Sequence, residues 1–278
     1  MKLLLICGRV MKMKGFPILI SLLLCTDSLA EFVVPIELEK GNPVASARIN
    51  GIPLKLVVDS GGGIIVLKKG LIEKARAART GSVRPSTDAY GNKNSQTLFR
   101  VDKLELGGHT FPDLEAAEAS KYMSESPGDG VIGRDFLNRF LVVYDYSSRQ
   151  ITLFSRDERS SADRKCRGTT VRTIPDQDGI VISKANSDHG TMRMLWDTGA
   201  TYSFVKKTFA DKYQLPIEKP FYTSHQFTLG QQNFGPLQFV VLDLQDPDNV
   251  DGFIGYNFFL NHVVCIDPDQ GEIRIHKN

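Results

Sequence analysis

Two acidic residues stand in the same local setting at distant points of the chain. Asp59 follows the apolar run Leu56-Val57-Val58 and precedes Ser60-Gly61. Asp197 follows Met194-Leu195-Trp196 and precedes Thr198-Gly199. A carboxylate at the exit of a buried strand is costly unless it is hydrogen-bonded or opens on a solvated cleft. The following glycine lets the backbone turn and offer its N–H groups to that carboxylate. The hydroxyl between them can lock the turn by bonding across to the other copy. Two such carboxylates brought together cannot easily both ionise, so one pKa rises and the pair holds one proton between them. That is an acid/base pair suited to activating water. Other chemistries lack their signatures. There is no C-x-x-C and no H-E-x-x-H, and the five histidines show no metal-ligand spacing. Val58 stands where a G-x-S-x-G elbow around Ser60 would need glycine, and no G-K-[ST] follows Gly61–Gly63. No metal and no cofactor are expected.

The elements that must position these residues are written twice. Asp129–Phe154 aligns without a gap on Asp251–His276 at an offset of 122, with eight identities: Asp129/Asp251, Gly130/Gly252, Ile132/Ile254, Gly133/Gly255, Phe136/Phe258, Val142/Val264, Asp145/Asp267 and Ile151/Ile273. Leu104–Leu114 matches Phe227–Leu237 at 123, and Leu56–Leu67 matches Met194–Val205 at 138. Three blocks in the same order make two related halves. The local patterns are mostly β. Asn50-Gly51 signals a two-residue hairpin into Leu54–Val58, and Ser147-Ser148 signals another. Helical signals are short: Leu71–Arg79, Arg134–Asn138 and Lys206–Tyr213. Asp145 and Asp267 each precede a hairpin turn, which predicts turn capping. The polar stretch Arg156–Arg167 reads as the linker, and each half as a β-rich lobe related to the other by a pseudo-twofold axis.

On these residues the chain resembles the pepsin-like and retropepsin-like aspartic proteases, in particular bacterial exported members with both halves in one polypeptide. Each apolar strand with Asp-Ser/Thr-Gly is paired with an apolar-apolar-glycine brace, Val131-Ile132-Gly133 and Phe253-Ile254-Gly255. The opening Val34–Gly61 also resembles the start of retropepsin-like domains. The resemblance covers nearly all of residues 32–278. It implies an all-β bilobal acid-protease fold, two β-barrel-like lobes with an active-site cleft between them. It implies Asp59 and Asp197 as the catalytic pair, with Ser60, Gly61, Thr198 and Gly199 orienting the loops. Tyr90-Gly91, in the longer first half, sits where such proteases carry a substrate-covering flap. The implied activity is endopeptidase hydrolysis of a peptide or protein substrate. The first motif departs from the family pattern. Gly62 and Gly63 replace the small and hydroxyl residues usual there, and Ile65 stands opposite Ser203, so more entropy is lost in fixing this loop. A catalytically inactive peptide- or ligand-binding protein of the same fold is therefore the alternative.

Composition sets the remaining expectations. A formal charge of +2 over 278 residues provides no basic field for nucleic acid. Lys2, Arg9, Lys12 and Lys14, then the apolar Phe16–Cys25, then Ser28-Leu29-Ala30, read as an export signal over residues 1–30. The apolar run is too short to span a bilayer, which needs about 20 residues. The lobes are then 31–156 and 168–278 around a linker at 157–167. Removing 1–30 takes four basic residues and Asp27, so the balance moves from 34 against 32 to 30 against 31. An exported destination, periplasmic or secreted, is expected, with a monomer and no stable membrane insertion once the signal is gone. Cys166 and Cys265 remain; in an oxidising compartment they can form one disulfide, or stay two buried thiols.

Overall fold

The computed structural model describes residues 31–87, 91–119, 126–218, 220–244 and 249–278. The fold is all-β and bilobal, as expected. Its base is a six-stranded antiparallel sheet to which each half contributes three strands. The order is Phe32–Glu39, Gln150–Phe154, Leu141–Asp145, His262–Asp267, Glu272–Lys277, Thr169–Ile174. At its middle Val142 pairs with Ile266, Val143 with Cys265, and Tyr144 with Val264. Val143 and Cys265 are repeat equivalents, so the pseudo-twofold axis passes between them.

The same offsets recur in each lobe. Ile52–Val58 runs parallel to Gly130–Ile132 with Val58 opposite Ile132, and Gly190–Trp196 runs parallel to Gly252–Ile254 with Trp196 opposite Ile254. Val66 opposes Val131 and Ala117, and its equivalent Phe204 opposes Phe253 and Val240. Buried on both faces, these short strands need continuous apolar runs rather than alternation. Trp196 is fully buried, meets Phe258 and Phe259 edge-on with ring centres 5.5 and 6.0 Å apart, and donates from Nε1 to Ser183 Oγ at 2.9 Å. An aromatic anchored this way holds the backbone of the next residue, Asp197.

Several local expectations need adjustment. The Asn50-Gly51 hairpin is present, with φ of 48° and 83°. Helix extends only over Leu71–Lys74, because Ala78–Thr87 leaves to pair with the strand Lys93–Leu106. That pairing is interrupted by a bulge between Arg79 and Val83. The Arg156–Arg167 stretch is itself folded. It contains a helix at Arg159–Lys165, an Arg274–Asp163 ion pair at 2.5 Å, and a disulfide from Cys166 to Cys265 with Cα atoms 5.7 Å apart. Asp145 caps its turn through Ser147 and Ser148. Asp267 accepts from Gln270 N–H in the same way and also pairs with Arg159, at 3.0 Å. Among the described residues no helix is long and apolar enough to cross a membrane.

Candidate active site

The exits of the two parallel-paired strands converge at the pseudo-twofold axis. Asp59 N donates to Ile132 O and Asp197 N to Ile254 O, both at 3.0 Å, so each aspartate is the last residue its brace holds in register. Beyond it the chains cross-link reciprocally. Ser60 Oγ donates to Trp196 O (2.8 Å) and accepts from Thr198 N (3.0 Å). Thr198 Oγ1 donates to Val58 O (2.6 Å) and accepts from Ser60 N (2.9 Å). Both hydroxyls are buried. Four buried bonds across the axis fix the two loops to each other, and losing a partner would leave buried polar groups unsatisfied.

Each carboxylate is held by its own loop. Asp59 Oδ1 accepts from Gly61 N (3.0 Å) and Gly62 N (2.9 Å), and Asp197 Oδ1 accepts from Gly199 N at 2.8 Å. Gly61 and Gly199 do not have a left-handed φ. Glycine is required by close approach instead. A Cβ on Gly61 would lie 2.6 Å from the Asp197 carboxyl, and one on Gly199 would lie 2.6 Å from that of Asp59. Each loop thus packs against the opposite carboxylate. The two carboxyl groups share a hydrogen bond, and the Asp197 carboxyl is pushed well above the ordinary carboxylate range. Burial is the first cause, the Asp59 charge the second and their hydrogen bond the third; the N–H groups of Gly199 and Ala200 oppose the rise. Both aspartates nevertheless keep partial exposure.

The braces lie directly behind. A Cβ on Gly133 would overlap the carbonyls of Gly63 and Ile64, and one on Gly255 those of Tyr202 and Ala200. Arg134 N and Asp135 N donate to Gly62 O and Gly63 O, both at 2.9 Å; Tyr256 N donates to Ala200 O at 3.0 Å. The triple-glycine segment is therefore tied down by backbone bonds. At Ser203 the second loop has a bond with no counterpart at Ile65, from Gly255 N to the Ser203 hydroxyl, at 2.9 Å.

The geometry therefore brings together Asp59, Ser60, Gly61, Asp197, Thr198 and Gly199. Tyr90 lies outside the described residues. Gly91, with φ of 81°, is next to the hairpin arms Ala78–Thr87 and Lys93–Leu106, which pair out to Thr87 and Lys93. Arg84 on this hairpin forms an ion pair with Asp135, just past the first brace. Two contacts to the loops were not anticipated. Arg134 Nη1 donates to Gly61 O (2.8 Å), and buried Asn42 Nδ2 donates to Gly199 O (2.6 Å). Arg134 could have been noticed as the residue immediately after the first brace. Asn42 carries no sequence signal beyond being polar in a tight hairpin. Two surface grooves, of about 510 and 440 Å³, lie around Ser46, Gly107 and Gly108 on the first lobe and include neither aspartate.

Two comparisons with known proteins bear on the family and the fold. Residues 45–136 match the family model described as aspartyl protease. The crystal structure of the aspartic proteinase from Irpex lacteus superposes with a TM-score of 0.60 at 14% sequence identity, covering 90% of this chain and 98% of that one. No curated protein matches the sequence.

Proposed function

We propose that this chain is an aspartic endopeptidase that hydrolyses peptide bonds with water activated by Asp59 and Asp197, a reading supported by the match of residues 45–136 to the aspartyl protease family model and by the fold. The observation that carries the reading is the meeting of the two carboxyls at the axis, each packed against the other loop's glycine and held by the reciprocal Ser60 and Thr198 bonds, with burial pushing the Asp197 acid up. A pair that keeps one proton offers a base and an acid at the same place and pH. The ionised carboxylate takes a proton from a water held between the two groups as the water oxygen attacks the peptide carbonyl. The protonated carboxyl hydrogen-bonds the carbonyl oxygen and stabilises the charge developing there. Collapse of the tetrahedral intermediate breaks the C–N bond while a proton passes to the leaving nitrogen. No covalent enzyme intermediate forms. Ser60 and Thr198 keep the loops in place, and the hairpin formed by Ala78–Thr87 and Lys93–Leu106, with Gly91 beside it, covers an extended peptide. Export through residues 1–30 would bring Cys166 and Cys265 to a compartment where their disulfide persists.

The purified chain, tested against a denatured protein and a peptide library from pH 3 to pH 7, should show turnover. Asp59→Asn and Asp197→Asn should each abolish it with the fold unchanged by circular dichroism. Full activity of either variant would overturn the dyad. Retention of peptide without turnover across the whole range would favour the binding-protein alternative, for which Gly62 and Gly63 are the motivating observation.

A further inference from the structure

The two loops are pseudo-symmetric, but what holds them from behind is not. The peptide unit joining Gly61 to Gly62 is gripped at both ends. Its N–H donates to Asp59 Oδ1 at 2.9 Å, and its carbonyl accepts from the Arg134 guanidinium at 2.8 Å. The equivalent unit, Gly199 to Ala200, differs at both ends: its N–H donates to the Asp197 backbone carbonyl at 3.2 Å, and its carbonyl is bonded by the Asn42 amide at 2.6 Å. On the first side the sequence is cation, peptide dipole, carboxylate. On the second a neutral amide replaces the cation. A peptide polarised by a cation on its oxygen is a better donor from its nitrogen, and the positive charge itself favours a nearby anion.

Both residues also span the halves. Arg134 Nε donates to Asp178 O of the second half at 2.9 Å, and Asn138 Nδ2, one turn on, donates to Gly179 O at 2.9 Å. Asn42 reaches from a first-half hairpin turn to the second loop. That turn is seated closely, since a Cβ on Gly41 would lie 3.0 Å from Thr201 O and 3.1 Å from the Tyr256 ring. The repeat equivalent of Arg134 is Tyr256, so a cation is absent from the matching place by substitution.

We propose that Arg134 and Asn42 are positioning residues, each acting through one peptide unit, and that their difference in charge makes Asp59 the ionised partner and Asp197 the proton-bearing one. The inference rests on reading the pair as the catalytic dyad. The Asp59 carboxylate also accepts two backbone N–H bonds, from Gly61 and Gly62, where Asp197 accepts one, from Gly199. The nearby carboxylates of Asp135 and Asp178 do not cancel the cation. Asp135 is paired with Arg84, and Asp178 is exposed and meets Arg134 through its backbone carbonyl. Among the described residues, the phenols of Tyr144 and Tyr146 also feel the aspartates, with Tyr256 beside Tyr146. Phenols are uncharged in the acid range, so they supply no charge asymmetry there.

The test titrates the chain labelled with ¹³C at the aspartate γ-carbon, with the pair's two steps assigned by Asp59→Asn and Asp197→Asn. The Asp197 carboxyl should keep its proton to higher pH than that of Asp59. Arg134→Gln or Arg134→Met should raise the Asp59 step by about half a unit or more, and Arg134→Lys should return most of that shift. Asn42→Ala should leave the Asp59 step in place. In peptide hydrolysis the acid limb of kcat/KM should move with the Asp59 step in the Arg134 variants, while Asn42→Ala should lower kcat with little change in KM. Removal of the charge in a folded Arg134 variant with both steps unmoved would overturn the proposal, as would Asp59 bearing the proton. If the carboxyl steps behave as stated but no peptide is cleaved, the endopeptidase reading fails and the proton assignment stands. Cleavage with unmoved steps gives the reverse.

Discussion

At the scale of residues, the Asp197 carboxyl carries a cost that the rest of the chain offsets. Its pKa in the folded chain lies well above the ordinary value of 3.8. Between those two values the native state binds more protons than the unfolded state, so stability falls as pH rises through that window. The contribution is fully present below about 3.8 and is lost once pH passes the folded pKa. Asp197→Asn keeps the shape and removes the titration. It should therefore melt at a higher temperature than the wild type at pH 7, with the gap closing as pH approaches 3.5, while hydrolysis is lost at both. Calorimetric melting of the two proteins at those pH values checks this; equal melting temperatures at pH 7 would refute it. The aspartates, hydroxyls and glycines of both motifs were readable from residue type and spacing. The reason for the two glycines was not. Sequence suggests a sharp turn, whereas the structure requires glycine because the opposite carboxyl occupies the space a Cβ would need.

At the scale of elements, the brace strands do as much as the loops. Gly133 and Gly255 sit where a methyl group would overlap two carbonyls of the loop in front. Their φ values, −92° and −120°, are ordinary, so the constraint is packing and not dihedral strain. Gly133→Ala should cost about 1–3 kcal/mol of stability, the usual range for overpacking a filled site. It should also lower kcat by displacing the segment Gly61–Gly63. Urea denaturation with peptide hydrolysis checks both; an unchanged midpoint and rate would show that the loop has slack. The braces were legible because they recur at a constant offset. The strand Ala78–Thr87 was not, because its first residues follow a helical pattern and only pairing with Lys93–Arg100 draws them into the sheet.

At the scale of the molecule, the base sheet joins the halves, and the disulfide reinforces the junction off-centre. Cys265 sits at the pseudo-twofold axis opposite Val143, its own repeat equivalent, and is tied to Cys166 at the end of the helix Arg159–Lys165. The bond closes a loop over a sequence separation of 99 residues. Cys166→Ser with Cys265→Ser should lose about 2–5 kcal/mol, as expected for a bond constraining a long stretch of unfolded chain. Thermal unfolding of the double variant, beside the wild type with and without reductant, measures the loss. A change below about 0.5 kcal/mol would show that the sheet holds the junction without it.

From the sequence alone came the duplication, the all-β character, the paired acids and the hydroxyls that cross between the loops. Each of these is carried by residue type and local spacing. The hands behind the loops were not legible in that way. Asn42 lies 157 residues from the carbonyl it bonds, and Arg134 lies 73 residues from its own. Nothing in local pattern encodes a contact that exists only once two halves have closed on a common axis. The repeat makes the two aspartates look equivalent. Folding makes them different, because a cation stands behind one loop and a neutral amide behind the other.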